Sequence, residues 1–303
     1  MAIFHTQLDH HSEQFTQNAK MMYDCVSEFR AIESRVIQLA EEKAPRYIKR
    51  GLIPPRERLS RLLDAGAPFL ELSSLCGYMQ EGDTDGSAAG GGVIAGIGYV
   101  SGARCMVMID DYLTKGGSIT QLGSHKRLRM YQIALQNKLP VIALAQSGGG
   151  DLTSLGDWFG FSGAGFAMQA KLSAAGIPQI TLVHGSATAG GAYQPGLSDY
   201  VVMIKGQSTV YLAGPPLLKA ATGEIATDEE IGGAQMHSEV SGVADYQAEN
   251  DIDGIRIIRE ITASLGWNDD LDAPRDNQPQ EPLYDKDQLL GIVPEEAKTP
   301  YDV

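Results

Sequence analysis

Strand-length apolar runs bounded by glycine set the strongest limit on how this chain of 303 residues can fold. Several of the runs are apolar at consecutive positions, as in strands buried on both faces, and they lie at residues 92–100, 105–109, 140–145, 180–184 and 200–204. Helix-length stretches separate the later runs, at 121–138, 158–175 and 190–197. Strands that alternate with helices predict an α/β fold with a mostly parallel sheet. The first two runs are joined by a short link and predict an antiparallel hairpin.

A long amphipathic helix is predicted before the sheet, at residues 14–43, because Phe15, Met22, Phe29 and Val36 recur at helical spacing. Pro45 is expected to end this helix. From about residue 268 the composition shifts to Asp, Pro, Gln and Asn, which is typical of a linker. We therefore expect a helical extension at 1–50, a main domain at 51–267, and a linker within 268–303.

Composition and charge exclude several classes of protein. The formal charge of −14 argues against nucleic acid as a partner, because phosphates are neutralised by a basic surface. The three cysteines are scattered and odd in number, so they indicate neither a disulfide framework nor a zinc site, and we interpret them as buried free thiols. No apolar run approaches the roughly 20 residues that span a bilayer. The first twenty residues contain no arginine and no signal-like apolar core, so we expect a cytoplasmic protein.

Three glycine-rich turns each follow a predicted strand and precede a predicted helix: turn 1 (residues 113–118), turn 2 (146–151) and turn 3 (186–193). In a parallel sheet all three would emerge at the carboxyl ends of strands, where α/β folds bind ligands. Small residues at helix starts leave backbone N–H groups free to stabilise an oxyanion. A single glycine pair is more often a tight turn without a ligand, but three equivalent pairs favour a site. None of the turns fits a P-loop or a dinucleotide-binding motif.

The chain offers no clear nucleophile or base. No G-x-S-x-G motif occurs. Ser147 follows a strand without a visible base and is interpreted as a turn residue, and His184 as a packed histidine at a strand end. His125 and His237 have no neighbours at metal-ligand spacing, so no metal site is predicted. A cofactor or a partner is therefore expected to supply the base.

Several longer blocks resemble the carboxyltransferase (beta) subunits of biotin-dependent acyl-CoA carboxylases. The blocks are 186–195 (SATAGGAYQP), 212–224 (LAGPPLLKAATGE) and 231–245 (IGGAQMHSEVSGVAD), with shorter matches at 56–58, 114–117 and 175–179. The likeness runs from about residue 14 to residue 303. The form of the block at 213–223 is closer to the methylcrotonyl-CoA and geranyl-CoA branch than to the propionyl-CoA branch.

The resemblance implies a crotonase fold that binds an acyl-CoA thioester. It implies that biotin, carried by a biotin carboxylase or carrier subunit, delivers the carboxyl group and also takes the substrate proton. Such a ligase would act on a methylcrotonyl-CoA-like substrate, as in leucine degradation, within a homo-oligomer. It would use no metal in this chain, and it would bind neither nucleic acid nor membrane.

The resemblance also assigns roles to the glycine turns. The backbone of Gly190, Gly191 and Ala192 would form the oxyanion hole for the thioester carbonyl. The CoA and its acyl group would be lined by small residues and one aromatic residue of the three turns, namely Gly116, Gly117, Ser147, Gly148, Gly149, Gly150, Ala189 and Tyr193.

Two basic segments are candidates for binding the phosphates of CoA. One is the cluster at 125–129, with Lys126 and Arg129, and the other contains Arg56 and Arg58. The alternative for the first cluster is a helix face that serves only solubility.

Residues 284–294 and 300–302 look like the opening of a second carboxyltransferase domain, so we expect a truncated or split subunit that cannot complete catalysis alone. The alternatives are an enoyl-CoA hydratase or isomerase of the same fold, for which Asp151 is the nearby carboxylate, and a non-catalytic CoA-binding assembly module. A biotin-dependent decarboxylase subunit is not distinguished from a carboxylase by the sequence.

Overall fold

The computed structural model of the chain describes residues 5–152, 155–267, 281–296 and 298–301. The chain forms two compact units. Unit 1 combines Met1–Gln38 with Asp272–Val303, and unit 2 is Leu39–Leu271. Unit 2 contains the sheet and all three glycine turns, so the site is built within a single unit.

Unit 2 is organised around one large sheet. The strands of the described residues are β1 (Leu70–Glu71), β2 (Val93–Val100), β3 (Ala103–Asp110), β4 (Ser118–Ile119), β5 (Val141–Ser147), β6 (Gly149–Gly150), β7 (Gln179–Thr188), β8 (Tyr200–Ile204), β9 (Thr209–Tyr211) and β10 (Tyr246–Ala248). The order in the sheet is β1-β2-β3-β5-β7-β8-β10, with β9 paired to the end of β7 and with β4 and β6 forming a separate pair. From β3 to β10 the pairing is parallel, whereas β1, β2 and β3 are antiparallel. The predicted α/β fold and the predicted hairpin are both confirmed.

Helices cover both faces of the sheet. The α-helices of the described residues are α1 (Glu13–Lys49), α2 (Pro55–Leu62), α3 (Gln121–Asn137), α4 (Leu155–Ala174), α5 (Tyr193–Gly196), α6 (Pro215–Thr222), α7 (Asp228–Gly232), α8 (Ala234–Met236) and α9 (Asp251–Ser264). The helix predicted at 190–197 is in fact a 3-10 turn, Ala189–Ala192, followed by the single turn α5. None of the described helices is both long and apolar enough to cross a bilayer.

Alternate residues of the central strands pack into two apolar clusters, one on each face of the sheet. On one face Val107, Leu144 and Leu182 lie in a cluster with residues of α2 and α9. On the other face Met106 and Val141 lie in a cluster with residues of α3 and α4. Burial on both faces explains why these strands are apolar at consecutive positions.

The prediction that Pro45 ends the first helix is wrong. Helix α1 continues through Pro45 to Lys49, although proline removes one backbone hydrogen bond. The reason is tertiary contact beyond the proline. The Tyr47 side chain is buried, its hydroxyl donates to Asp111 Oδ1 at 2.8 Å, and the Leu113 N–H donates to the same hydroxyl at 3.0 Å. The last turns of α1 therefore belong to unit 2.

Unit 1 joins the first part of α1 to the end of the chain. The Asn18 side-chain amide donates to Gly291 O at 3.1 Å, and the Thr6 N–H donates to the Tyr284 hydroxyl at 3.0 Å. A Cβ on Gly291 would lie 2.2 Å from the Phe15 ring, so this ring packs directly on the Gly291 backbone. The predicted linker at 268–280 lies outside the described residues. The division into 1–50, 51–267 and 268–303 stays a prediction.

Candidate functional site

The three glycine turns lie side by side. They follow β3, β5 and β7, which are neighbours and parallel, so their carboxyl ends share one edge of the sheet. Turn 1 meets turn 2 through the pairing of Ser118 with Gly149, and the Gly148 N–H donates to Gly117 O at 3.1 Å. Turn 2 lies against turn 3 at Gly149. A Cβ added to this glycine would lie only 3.0 Å from Thr188 O. The arrangement expected from the sequence is therefore present.

Glycine is required in these turns by both conformation and space. Gly117 has φ +75° and Gly149 has φ +92°, values that residues with a Cβ rarely adopt. Both also face backbone atoms of the neighbouring turn at about van der Waals contact or closer. A side chain at either position would push the turns apart.

Turn 3 is the open part of the site. Ala189 has φ +51°, in the left-handed region, and the 3-10 turn starts there. Gly191 and Ala192 are buried, but Gly190 is half-buried, and a Cβ built on it would meet nothing closer than Gly150 N at 4.0 Å. The first N–H groups of a helical turn have no acceptor within that turn. The space beside Gly190 is thus open to an entering atom.

Aromatic side chains lie next to turn 3. Tyr193 is 42% exposed and stacks on Phe166 of α4, with the ring centroids 4.3 Å apart. His125 of α3 meets Phe161 of α4 edge to face at 4.1 Å. Tyr193 is the last residue of turn 3, so its stacked pair with Phe166 offers an apolar surface at the end of this turn.

The predicted basic clamp is only partly supported. Lys126 is 3% exposed, and its Nζ donates to Gly90 O at 3.0 Å and to Val93 O at 2.7 Å. Burial lowers the pKa of Lys126 to about 8. Its ammonium group is engaged in the interior, which does not favour the predicted contact with a phosphate. Arg129 is exposed on the same helix and stays a predicted phosphate contact.

The other basic segment likewise contains one partly accessible side chain and one fully buried side chain. Arg56 is half-buried and forms a two-point ion pair with Glu71, at 3.0 and 3.1 Å. Arg58 is fully buried, and its Nη1 donates to Gln146 Oε1 at 2.9 Å. The burial of the Arg58 side chain does not favour its predicted role as a CoA ligand.

Sequence reasoning missed a buried polar network that supports turn 2. Besides accepting from Arg58, Gln146 donates its backbone N–H to Asp110 Oδ2 at 3.0 Å. Asp110 also pairs with Arg127, at 2.7 Å. The available signal was a polar residue at or near the end of each apolar strand, Asp110 in β3 and Gln146 in β5.

His184 is a packed histidine, as expected. It is fully buried in β7, its Nδ1 is hydrogen-bonded to Asp251 Oδ1, and Gln207 donates to its backbone carbonyl at 2.6 Å. Burial, helped by the positive charge of Arg58, lowers the pKa of His184 to about 4. The ring is therefore neutral at pH 7, and its Nδ1–H donates to the Asp251 carboxylate.

The buried His184 predicts a pH dependence of stability. Between pH 6.5 and 4 the unfolded chain binds a proton at this ring and the folded chain does not, so the free energy of unfolding should fall as the pH falls through this window. The expected loss is up to about 3 kcal/mol. Urea unfolding at several pH values should show a shallower decline for His184→Asn, which does not titrate. The exposed His5→Asn is the control, and an unchanged slope in His184→Asn would contradict the assignment.

Among the described residues, no three His, Cys, Asp or Glu side chains come together in a way that could hold a metal ion. Cys105 is buried and Cys76 half-buried, but Cys25 is exposed on α1. The interpretation of all three as buried thiols is wrong for Cys25, because its position on the helix faces outward.

Comparisons with known proteins agree on one family. Residues 47–303 match the model of the carboxyl transferase domain. A probable biotin-dependent acyl-coenzyme A carboxylase beta2 subunit of Mycobacterium tuberculosis is 44% identical, over 97% of this chain and 55% of the relative. A probable mitochondrial methylcrotonoyl-CoA carboxylase beta chain of Drosophila melanogaster is 39% identical, over 99% of this chain and 55% of the relative.

A solved structure gives the same result. The beta subunit of P. aeruginosa geranyl-CoA carboxylase has a TM-score of 0.86 and 51% identity, covering 99% of this chain and 55% of that chain. The crotonase-like fold expected from the sequence is confirmed by this likeness. The chain spans about half the length of the curated relatives it matches.

Proposed function

Because the chain belongs to the carboxyl transferase domain family, we propose that it is the acyl-CoA-binding half of the carboxyltransferase component of a biotin-dependent acyl-CoA carboxylase. The observation that carries the proposal is the open turn 3, where Gly190 faces free space at the edge of a glycine-lined parallel sheet. Backbone N–H groups at this position suit the oxygen of a thioester carbonyl.

The residues of the chain would act on the acyl group by holding it and by stabilising charge. The N–H groups of Gly190, Gly191 and Ala192 would donate to the thioester oxygen and stabilise the negative charge that develops there as the substrate loses a proton. Tyr193 would lie along the acyl group, and Arg129 would contact a CoA phosphate. A carrier-bound biotin would supply the carboxyl group and the base.

We propose a branched enoyl-CoA of the methylcrotonyl or geranyl type as the substrate, as the names of two relatives suggest. We also propose that the chain works in an oligomer with a biotin-carrying partner. In support, α6 has no buried residue, and apolar side chains in and near it are exposed, namely Leu212, Leu217 and Ile225. A role in leucine degradation and a cytoplasmic location stay predictions from the sequence.

Substitution of Gly190 tests the proposal. Gly190→Ala adds a methyl group to the open space without meeting protein atoms and without a left-handed φ, so the fold should be unaffected. We expect binding of 3-methylcrotonyl-CoA, measured by calorimetry, to weaken about tenfold or more, since tenfold corresponds to about 1.4 kcal/mol. Thermal unfolding should be unchanged.

Gly196→Ala in α5 is the matched control, because it also has free space around its Cβ but lies outside turn 3. Equal affinity in the wild type and Gly190→Ala, or no binding by the wild type, would contradict the proposal. With a second carboxyltransferase domain and a biotinylated carrier added, we expect carboxylation of the enoyl-CoA. Hydration of the enoyl-CoA without biotin would instead favour a hydratase that uses Asp151.

A further inference from the structure

Ser147 lies at the point where all three glycine turns meet. Its hydroxyl donates to Gly117 O in turn 1 at 3.0 Å and accepts from the Gly149 N–H in turn 2 at 3.1 Å. The register of β5 against β7 shifts between Ala145 and Ser147, and this irregularity places Ser147 opposite Ala187, at the start of turn 3. One side chain therefore touches turn 1 and turn 2 at the start of turn 3.

Ser147 also explains why residue 191 is glycine. The φ of Gly191 lies outside the left-handed region, so its conformation does not demand glycine. A Cβ on Gly191, however, would lie 2.9 Å from Ser147 Cβ and 2.9 Å from Ser147 Oγ. The next atom, Ser147 O, is at 3.6 Å, which is ordinary contact. The backbone of turn 3 thus rests directly on the Ser147 side chain.

The Ser147 hydroxyl is not placed to react or to bind a ligand. The side chain is 3% exposed, and the hydroxyl uses its proton on a carbonyl and a lone pair on an N–H group. These contacts do not favour the predicted role of Ser147 as a ligand contact. Its contacts can instead fix the position of turn 3 relative to turns 1 and 2.

We propose that Ser147 is the positioning residue of the oxyanion site: by supporting the backbone of turn 3, it sets the distance between the turn 3 amides and the acyl group without touching the acyl group. This inference rests on the proposed function of turn 3. It explains the glycine at position 191 by the close contact with the Ser147 side chain and not by a contact with the ligand.

A pair of CoA ligands tests the inference. One is 3-methylcrotonyl-CoA, and the other is the matching S-prenyl thioether of CoA, which lacks the carbonyl oxygen. We expect the wild-type chain to bind the thioester about tenfold more tightly, because only the thioester can accept from the turn 3 amides. In Ser147→Ala the preference should be lost, so that the two ligands bind about equally. The affinity for the thioether should stay within about twofold of wild type. A general loss of structure would weaken both ligands alike.

The outcomes separate the two proposals. A wild-type chain that binds both ligands equally would overturn the oxyanion function, and the positioning role with it. A wild-type chain that prefers the thioester and a Ser147→Ala variant that keeps the full preference would overturn the positioning role alone. Equal weakening of both ligands in Ser147→Ala would also overturn it, since the effect would then be structural.

A rescue experiment covers the case in which Ser147→Ala does not fold. Gly191→Ala should lose the thioester preference because of the two 2.9 Å contacts. Adding Ser147→Gly removes both contacting atoms and should restore thermal stability, but not the thioester preference, because the positioning hydroxyl is gone as well. Adding Ser147→Ala keeps the Cβ and should not restore the stability. Equal behaviour of the two double variants would contradict the inference that Ser147 is what excludes a side chain at 191.

Discussion

Replacing Gly117 with alanine should unfold or nearly unfold the turns, with a loss of about 3 kcal/mol or more in the free energy of unfolding. Gly117 has φ +75°, and an added Cβ would lie 2.8 Å from the Tyr112 ring, 3.1 Å from Gln146 O and 3.3 Å from Gly148 N. Two of these atoms are backbone and cannot rotate away. Binding of acyl-CoA should be lost with the stability.

The neighbouring glycine provides the control. Gly116 has a similar φ of +65°, but a Cβ there would meet nothing within 4 Å. Gly116→Ala should therefore cost only the conformational penalty, about 1 kcal/mol. Comparing the urea unfolding of the two variants separates the free-energy cost of the steric contacts from the cost of the left-handed backbone conformation. Similar losses in both would show that the contact between turns 1 and 2 contributes little.

Arg58→Met should have the second large effect, a loss of about 3–5 kcal/mol in the free energy of unfolding. The guanidinium is fully buried and donates to Gln146, and its charge faces the carboxylates of Asp251 and Asp110. Methionine fills a similar volume but removes the buried positive charge near Asp251 and the donor to Gln146. The loss should extend to acyl-CoA binding, because Gln146 belongs to turn 2.

Arg61→Met is the matched control on the same helix. Arg61 is exposed and pairs with Glu57 four residues earlier at 2.7 Å. Exposed pairs of this kind contribute about 0.3–0.5 kcal/mol, so the variant should unfold almost as the wild type does. Denaturant unfolding measures both. If Arg58→Met kept wild-type stability and lost only CoA affinity, Arg58 would be a ligand contact after all.

Local sequence patterns were sufficient to predict the sheet and the meeting of the three turns. Burial on both faces leaves a continuous apolar run, and residues 141–145 of β5 form such a run. Parallel neighbours bring their carboxyl ends to one edge, so glycines 30 to 40 residues apart could be placed together. These inferences need only periodicity and topology.

Burial of charge could not be predicted in this way. Lys126 and Arg58 lie in segments that look solvated, and their partners, such as Val93 and Gln146, are far away in sequence. Helix α1 passes Pro45 for a similar reason, since Tyr47 is held by Asp111. In each case a distant contact outweighs the local preference, and a single sequence does not show which distant residues meet.

The left-handed backbone of Ala189 has a consequence for ligand affinity. An alanine with φ +51° costs about 1–2 kcal/mol relative to a relaxed backbone, and the surrounding β7 and turn 2 contacts hold it there. That free energy is supplied once, when the chain folds. A thioester that reaches Gly190 then meets amides whose direction is already set, so little of its own binding energy is consumed in ordering them.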